Sequence, residues 1–222
     1  MTGATHGRIF VFTDFDGTIT ATESLEAVFR KFLPGRWEPV KEELRAGRTT
    51  LREGVSGLIE SIPSARYPEV LRFVSEMPIR GGFDDFLSFL EEREIPLIIV
   101  SGGIRGMVEV KLRDYLHRLH AIIAVDVDTN GAFLKVDHRY AGETELVDKR
   151  RVIDGFNADT RVVIGDGITD YNMAQHAELV FARQPLAGFL EGLGIAYRNW
   201  EDFLDVKSQM EKWLVSESNI IG

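Results

Sequence analysis

Residues 9–18 read IFVFTDFDGT, an apolar run that ends in two carboxylates, a glycine and a threonine. Four consecutive apolar residues before a polar, glycine-containing turn predict a strand buried on both faces of a parallel sheet. Asp14 and Asp16 then lie at the carboxyl end of this strand, where open α/β sheets bind their ligands. Carboxylates, the hydroxyl of Thr18 and the bare backbone of Gly17 suit Mg²⁺ with phosphate, because a hard cation takes oxygen ligands. The same residues also suit an acidic turn that caps a helix.

Two later apolar runs end in residues that suit the same chemistry. The runs and the residues that follow them are LIIV at 97–100 with Ser101-Gly102-Gly103, and VVI at 162–164 with Gly165-Asp166-Gly167. Asp170 lies just beyond the second run, and Lys149 lies between the two. Each fragment alone is most often a turn or a solvated surface residue. Their order along one chain, mostly at the ends of predicted strands, indicates a shared phosphate site.

This order of motifs resembles that of the haloacid dehalogenase superfamily of aspartate-nucleophile phosphatases. The matching motifs are Asp14-x-Asp16-Gly17-Thr18, Ser101, Lys149, and Gly165-Asp166-Gly167 with Asp170. They extend over most of the chain and are highly specific as a set. The resemblance implies an α/β fold whose three-layer, Rossmann-like core has a parallel sheet, with the strand before Asp14 at its centre. A small hairpin is also expected near Asn130-Gly131.

The resemblance implies a role for each of these residues. Asp14 is the expected nucleophile, which forms an aspartyl-phosphate, and Asp16 is the expected proton donor and acceptor. Lys149 is expected to add positive charge where charge builds on the phosphate. The expected phosphate-binding residues are Ser101, Gly102 and Thr18. The expected cofactor is Mg²⁺, with ligands or ligand-orienting groups from Asp14, the backbone carbonyl of Asp16, Asp166 and Asp170.

The segment between the first motif and Ser101 is too long for one βα connection. Its helical signals are an apolar face at Leu25, Val28, Phe29 and Phe32, and further helical stretches over 38–46, over 51–61 and from Pro68 to Met77. Such an insertion resembles the helical cap of the superfamily, which closes over the site and excludes water. We therefore predict a helical-bundle cap over residues 21–78 and a core over residues 1–20 and 79–222.

Composition places limits on the partners. The 222 residues carry a net charge of −9 without any block rich in Lys or Arg, so neither nucleic acid nor a membrane is an expected partner. The chain has no cysteine, which excludes disulfides and thiolate metal sites. We expect a cytoplasmic enzyme, monomeric or homodimeric, that acts on a small phosphorylated molecule.

Short strings refine the expected substrate. FLPGRW at 32–37, EGV at 53–55, IPS at 62–64 and FAR at 181–183 resemble the branch of the superfamily that serves methionine salvage, a part of amino-acid biosynthesis. That branch acts on 2-hydroxy-3-keto-5-methylthiopentenyl-1-phosphate, so this compound or a related enol or sugar phosphate is the expected substrate.

The competing branch is that of phosphoserine phosphatase, which shares the core and the type of cap. Glu23 lies where that branch has a substrate-binding cap carboxylate, so it is a candidate substrate-binding residue. The arginine that should complete the clamp is replaced by small or apolar residues at 54–58, and Arg52 lies a turn earlier. Because a buried charge needs a partner, we predict poor use of phosphoserine.

Two readings from other classes remain at this point. One is a receiver-like signalling domain, which also has an acid pair and a phosphorylatable aspartate on a parallel sheet. The other is a phosphate-binding regulatory protein with a decayed phosphatase fold. The helical insertion argues against the first, and the complete set of motif residues argues against the second.

Overall fold

The strand that ends at the acid pair lies at the centre of a seven-stranded sheet. The computed structural model describes residues 8–220, so residues 1–7 and 221–222 of the predicted core lie outside the described residues. The strands are β1 (Ile9–Thr13), β2 (Leu97–Ile104), β3 (Ala121–Asp128), β4 (Lys135–Asp137), β5 (Thr160–Gly165), β6 (Leu179–Ala182) and β7 (Arg198–Asn199). Their order is β4-β3-β2-β1-β5-β6-β7, and all neighbours are parallel except β3 and β4. The predicted α/β fold with β1 between the strands of the later motifs is confirmed.

Helices cover both faces of the sheet and fill the long segment after β1. Those of the long segment are α1 (Ser24–Phe32), α2 (Trp37–Arg45), α3 (Leu51–Ile59) and α4 (Tyr67–Ser75). Those that follow are α5 (Phe83–Glu91), α6 (Arg105–Lys111), α7 (Lys149–Asp154), α8 (Tyr171–Ala174), α9 (Leu186–Gly192) and α10 (Phe203–Ile220). Within the described part of the chain, no helix is both long and apolar enough to cross a bilayer.

The alternation of side chains along β1 explains why this strand is central. Phe12 packs into the core cluster that includes the helices after β1, whereas Val11 packs into the cluster formed with α5 and α10. Both side chains are fully buried. Burial of one such apolar side chain contributes about 1.5–3 kcal/mol, so a strand that is apolar on both faces is most stable in the middle layer.

β2 differs from the prediction in where it ends. The sequence predicts a strand end at Val100 with Ser101-Gly102-Gly103 as a turn, but β2 continues to Ile104. The pairing of β2 with β3 shifts register between Val100 and Ile104. The glycines permit this irregularity because they carry no side chain, and the irregular segment is the part of β2 that reaches the site.

The hairpin predicted near Asn130-Gly131 is present as β3 and β4, although a loop of residues 129–134 joins them instead of a two-residue turn. This loop is bound to the segment after α3. The amide of Leu134 donates to the carbonyl of Ile62, and the amide of Ser64 donates to the carbonyl of Ala132, both at 3.0 Å. These hydrogen bonds connect the segment after α3 to the edge of the sheet that β3 and β4 form.

Candidate active site

The loop after β1 turns tightly and brings its polar groups to one edge of the sheet. The amide of Asp14 donates to the carbonyl of Ile164 in β5 at 3.0 Å, which continues the sheet up to the first carboxylate. Gly17 has φ +76°, a backbone conformation that side chains other than glycine rarely adopt. The amide of Thr20 returns to the carbonyl of Phe15 at 3.0 Å and closes the loop.

One lysine and two carboxylates form the buried centre of the site. The ammonium of Lys149 donates to Asp14 Oδ1 and, at 2.6 Å, to Asp170 Oδ1. All three residues are almost fully buried. Lys149 is the first residue of α7, and the hydrogen bond from the Arg151 amide to the Asp148 side chain begins this helix. Burial alone would favour a neutral lysine, but the two carboxylates raise the pKa of Lys149 above its ordinary value.

Asp166 completes the acidic group. Oxygen atoms of Asp14, Asp166 and Asp170 all lie within 4.8 Å of one another. Asp170 Oδ2 accepts from the amides of Asp166 and Gly167 at 3.0 and 2.9 Å, which fixes the loop after β5. The motif residues from three separate parts of the chain thus meet at one point, as the sequence predicts.

The charges of this group are not balanced by the protein. Burial and the neighbouring Asp170 raise the pKa of Asp14 well above its ordinary value, against the effect of Lys149. The same two causes raise the pKa of Asp166 to about 6. Three carboxylates with one ammonium leave excess negative charge in a buried space, and a divalent cation with oxygen ligands relieves it. The donor set therefore fits Mg²⁺.

Asp16 lies beside this group, and its side chain points toward α1. Its Oδ1 accepts from the hydroxyl and the amide of Ser24, the amide at 2.9 Å, and from the amide of Leu25 at 3.3 Å. Burial raises the pKa of Asp16, while the bonds from Ser24 oppose that rise. Its carboxylate is not part of the acidic group, so a contribution to metal binding rests on the predicted backbone carbonyl.

Thr18 and Ser101 are buried, and their hydroxyls have protein partners. Thr18 donates to Asp166 Oδ1 at 2.6 Å, and the Ser101 oxygen accepts from the amide of Gly103 at 2.9 Å. Neither residue lines the cavity described below, whereas Gly102 does. The Thr18 side chain thus binds an expected metal ligand. Phosphate binding by Thr18, Ser101 and Gly102 remains a prediction.

A cavity of about 170 Å³ opens from the centre of the site. At one end lie Asp14, Asp16, Gly102, Gly103 and Lys149, and the remaining wall is mainly apolar, with Leu25, Phe29, Trp37, Leu51, Val55, Leu146 and Val147. Carboxylates also reach the cavity from Glu23, Glu26 and Glu145. This space suits a small molecule with a phosphate at one end and an apolar tail.

The two candidate clamp residues for phosphoserine lie in different surroundings. Glu23 lines the cavity, and partial burial together with the charge of Asp16 raises its pKa to about 8. Arg52 points away, because its guanidinium donates to the carbonyl of Gly142 at 3.1 Å. Among the described residues that line the cavity, Lys149 is the one cation, and it is already paired.

Several contributors to the site escape sequence reasoning. Ser24 holds Asp16, Arg80 binds the carbonyls of Gly17 and Thr18, and Glu145 lies in the cavity wall. Each is a lone polar residue outside any motif, so no spacing or periodicity marks it. Only Arg80 carries a signal, since it lies directly before Gly81-Gly82 at the return to the sheet.

Comparison with known proteins agrees with this geometry. Residues 11–175 match the haloacid dehalogenase-like hydrolase family. The chain is 39% identical over 202 residues to a 2-hydroxy-3-keto-5-methylthiopentenyl-1-phosphate phosphatase of Microcystis aeruginosa, covering 90% of this chain and 96% of the relative. A relative of the same name from Geobacillus kaustophilus (strain HTA426) is 33% identical over 217 residues, with 92% and 96% covered.

Solved structures show the same fold at low identity. A phosphoserine phosphohydrolase-like protein from Francisella tularensis subsp. tularensis SCHU S4 superposes with a TM-score of 0.70 at 19% identity, over 90% of this chain and 98% of that one. Phosphoserine phosphatase from T. onnurineus gives 0.65 at 18% identity, over 91% and 94%. Since both identities are low, these similarities concern the fold alone.

Proposed function

We propose that this chain, which belongs to the haloacid dehalogenase-like hydrolase family and is a phosphatase, hydrolyses 2-hydroxy-3-keto-5-methylthiopentenyl-1-phosphate or a closely related enol phosphate. The observation that carries the proposal is the cavity, which joins a charged end to an apolar wall and has no free cation among the described residues that line it. The names of the relatives at 33–39% identity point to the same substrate. The two non-catalytic readings of the sequence have no comparable support.

The proposed reaction divides the work between two carboxylates. Asp14 attacks phosphorus, the bond to the leaving enol oxygen breaks, and an aspartyl-phosphate forms. Asp16 gives a proton to the leaving oxygen and then takes one from the water that hydrolyses this intermediate. Lys149, held by Asp14 and Asp170, supplies positive charge next to the phosphate oxygens.

Mg²⁺ is the proposed cofactor. Asp14, Asp166 and Asp170 supply buried oxygen atoms close enough together to bind or orient around one ion, and the carbonyl of Asp16 is a further candidate ligand. When bound, the ion would neutralise charge on the phosphate and help to orient it. The hydroxyl of Thr18 would hold the Asp166 carboxylate in the required direction.

Residues 21–78 are proposed to act as a cap over the cavity. Seven of their residues line it: the carboxylates Glu23 and Glu26 and five apolar side chains, namely Leu25, Phe29, Trp37, Leu51 and Val55. Their apolar character would exclude water from the reacting phosphate. The core that carries the catalytic side chains would then comprise residues 1–20 and 79–222.

The apolar wall favours a thioether tail over the charged groups of phosphoserine. A carboxylate in this cavity would lack a partner, because Arg52 is bound to the carbonyl of Gly142 and Lys149 is paired. Leaving a buried charge without a partner costs about 3–5 kcal/mol. Glu23 offers a partner for an ammonium alone, and it is the specific observation in favour of phosphoserine as second candidate.

Comparison of the hydrolysis rates of the two substrates, each assayed separately, tests the proposal. We expect kcat/KM for the methylthiopentenyl phosphate to exceed that for phosphoserine by at least about 100-fold, the factor that a 3 kcal/mol penalty produces. The assay uses purified protein with Mg²⁺ and measures phosphate release at matched concentrations. Efficient hydrolysis of phosphoserine would replace the proposal with the second candidate.

Mass spectrometry tests the proposed intermediate. Rapid acid quench of the enzyme during turnover should reveal a phosphate adduct on a peptide that contains Asp14, and Asp14→Asn should abolish both the adduct and turnover. Asp154→Asn, a substitution on the exposed end of α7, is the matched control and should leave both intact. An adduct on any residue other than Asp14 would contradict the assignment.

A further inference from the structure

Glu145 places a carboxylate in the cavity wall without any part in the chemistry described above. It belongs to residues 138–148, a segment without regular structure that ends at Lys149. Its neighbours Leu146 and Val147 are buried and also line the cavity. Glu145 itself is half-buried and lines the same cavity, the space that a substrate would occupy.

The carboxylate is held in one orientation. Asn172 Nδ2 donates to Glu145 Oε1 at 3.0 Å, and the amide of Gly142 donates to the Glu145 carbonyl at 3.0 Å. The amide of Arg52 also binds the carbonyl of Thr144 at 2.8 Å, which fixes the segment to α3. No other donor within residues 8–220 reaches this carboxylate, so Oε2 is free to accept a hydrogen bond from a ligand.

Its position is close to the phosphate end of the cavity. Asn172, its partner, lies two residues after Asp170, and Glu145 itself lies four residues before Lys149 along the chain. The charges of Lys149 and Asp170 both act on Glu145. A substrate group that meets Oε2 would therefore lie on the phosphate side of the cavity.

We infer that Glu145, oriented by Asn172, is a specificity-determining residue that accepts a hydrogen bond from a hydroxyl on the carbon next to the phosphorylated carbon. This inference rests on the proposed function, because the proposed substrate carries its 2-hydroxyl next to the 1-phosphate. A fixed acceptor discriminates strongly, since a substrate without the hydroxyl leaves the carboxylate without its partner. The apolar wall would bind the rest of either substrate equally.

A matched pair of simple esters tests the inference without the natural substrate. Pentyl phosphate and 2-hydroxypentyl phosphate differ only in the hydroxyl, so the ratio of their kcat/KM values isolates its recognition. We expect the wild-type enzyme to prefer the hydroxy ester by about 10- to 100-fold. Glu145→Leu, which has no acceptor, should bring this ratio close to one, whereas Glu145→Gln should lower it less, because the amide NH₂ that Asn172 leaves facing the substrate can still donate to the hydroxyl oxygen.

Asn172→Ala is a further variant. It should reduce the kcat/KM ratio of the two esters, because the Glu145 carboxylate loses the hydrogen bond that orients it. Glu143→Gln, an exposed position of the same segment, is the matched control and should keep the wild-type ratio. A purely structural role of Glu145 would lower kcat/KM for both esters alike and leave the ratio unchanged, which would overturn the inference. A preference of the wild type for 2-aminopentyl phosphate over the hydroxy ester would also overturn it, by showing that the carboxylate recognises charge.

The proposed function can fail separately. If the wild type shows the hydroxyl preference but hydrolyses the methylthiopentenyl phosphate no better than 2-hydroxypentyl phosphate, the role of Glu145 stands and the proposed natural substrate falls. If the natural substrate is favoured and the ester ratio is near one in the wild type, the proposed function stands and the role of Glu145 falls.

Discussion

The hydroxyl of Thr18 donates a 2.6 Å hydrogen bond to Oδ1 of Asp166, across 148 positions of the chain. The bond links the loop after β1 to the loop after β5, and it leaves the other oxygen of Asp166 for a cation. Both residues are buried, so water does not replace the bond easily. Thr18 would therefore act on the proposed metal site through Asp166.

Replacement of Thr18 by valine should weaken Mg²⁺ binding while it preserves shape. We expect about a tenfold rise in the Mg²⁺ concentration for half-maximal activity, since loss of an outer hydrogen bond to a metal ligand typically costs 10- to 100-fold. Titration of phosphatase activity with Mg²⁺ measures this. Thr18→Ser keeps the hydroxyl and is expected to remain near wild type; an unchanged Mg²⁺ requirement in Thr18→Val would argue against the link.

Gly17 is needed both for its backbone conformation and for the space beside it. A Cβ there would overlap Oδ2 of Asp166 and lie 2.7 Å from Oε1 of Glu23. Gly17→Ala should thus lower activity by at least about 100-fold, because displacement of reacting groups by about 1 Å can cost that much. Gly35 has a similar φ of +77° with nothing near its Cβ position, so Gly35→Ala measures the backbone cost alone.

That backbone cost is expected to be about 1 kcal/mol in the free energy of unfolding for Gly35→Ala. Urea denaturation of both variants, beside their kcat values, separates the two effects. Gly17→Ala should lose more stability than Gly35→Ala and should alone lose activity. Equal behaviour of the two variants would show that crowding at Asp166 is unimportant.

Arg80 should orient the loop after β1, because its guanidinium binds two carbonyls of that loop. Its Nε donates to the carbonyl of Thr18 at 2.8 Å, its Nη2 donates to that of Gly17, and its guanidinium lies 5.2 Å from the ring centre of Trp200. Lysine cannot donate to both carbonyls from one planar group, so Arg80→Lys is expected to lower kcat by about 10- to 100-fold. Added guanidinium should partly restore the rate of Arg80→Ala, because the truncated side chain leaves space for it.

The matched control for Arg80 is Arg183, which lies 5.3 Å from the ring centre of the same indole but binds the carbonyl of Glu201. Arg183→Lys should therefore leave kcat within about twofold of wild type, on the scale of a surface contact. A comparable loss of kcat in both variants would assign the effect to the packing around Trp200 rather than to the loop.

The metal-free protein should become less stable as pH rises through the acidic range. The pKa of Asp166 is about 6 in the folded chain, against an ordinary value of 3.8, so the folded state binds the proton more tightly. The free energy of unfolding then falls as pH rises between these values, because the unfolded state releases its proton first. We expect the Tm to fall by roughly 5 °C between pH 4.5 and pH 7.

Calorimetry with and without Mg²⁺ checks this pH dependence. Mg²⁺ should raise the Tm at pH 7 more than at pH 4.5, since it binds the ionised carboxylates. Asp166→Asn should reduce the fall. An equal change of the metal-free Tm with pH in wild type and Asp166→Asn would show that Asp166 does not cause the pH dependence.

The sequence predicts the elements whose signals are local and repetitive. The apolar runs before Asp14, near Val100 and before Gly165 are strands, and the helical faces after β1 are helices, because short-range patterning decides both. The convergence of Asp14, Asp166 and Asp170 follows from the geometry of parallel strand ends, whereas Lys149, which begins α7, is placed beside them by the packing of that helix. These parts need no knowledge of how loops pack.

Contacts between loops are what the sequence does not reveal. The Thr18 hydroxyl, expected near phosphate, is bound to Asp166, and Arg52 is turned toward the carbonyl of Gly142. Glu145 lies in an irregular segment, where no periodicity indicates which side chain faces inward. Each of these orientations depends on tertiary packing between segments far apart in the chain.

The contact of Asp16 with the first turn of α1 changes how loss of this residue has to be interpreted. Oδ1 of Asp16 accepts hydrogen bonds from the amides of Ser24 and Leu25, which have no partner within the helix. An alanine at this position removes the proposed proton donor and a helix cap together, so its inactivity would not measure acid catalysis. Asparagine retains an acceptor oxygen for both amides and removes only the exchangeable proton. The residual rate of Asp16→Asn is therefore the better measure of how much proton transfer by Asp16 contributes to turnover.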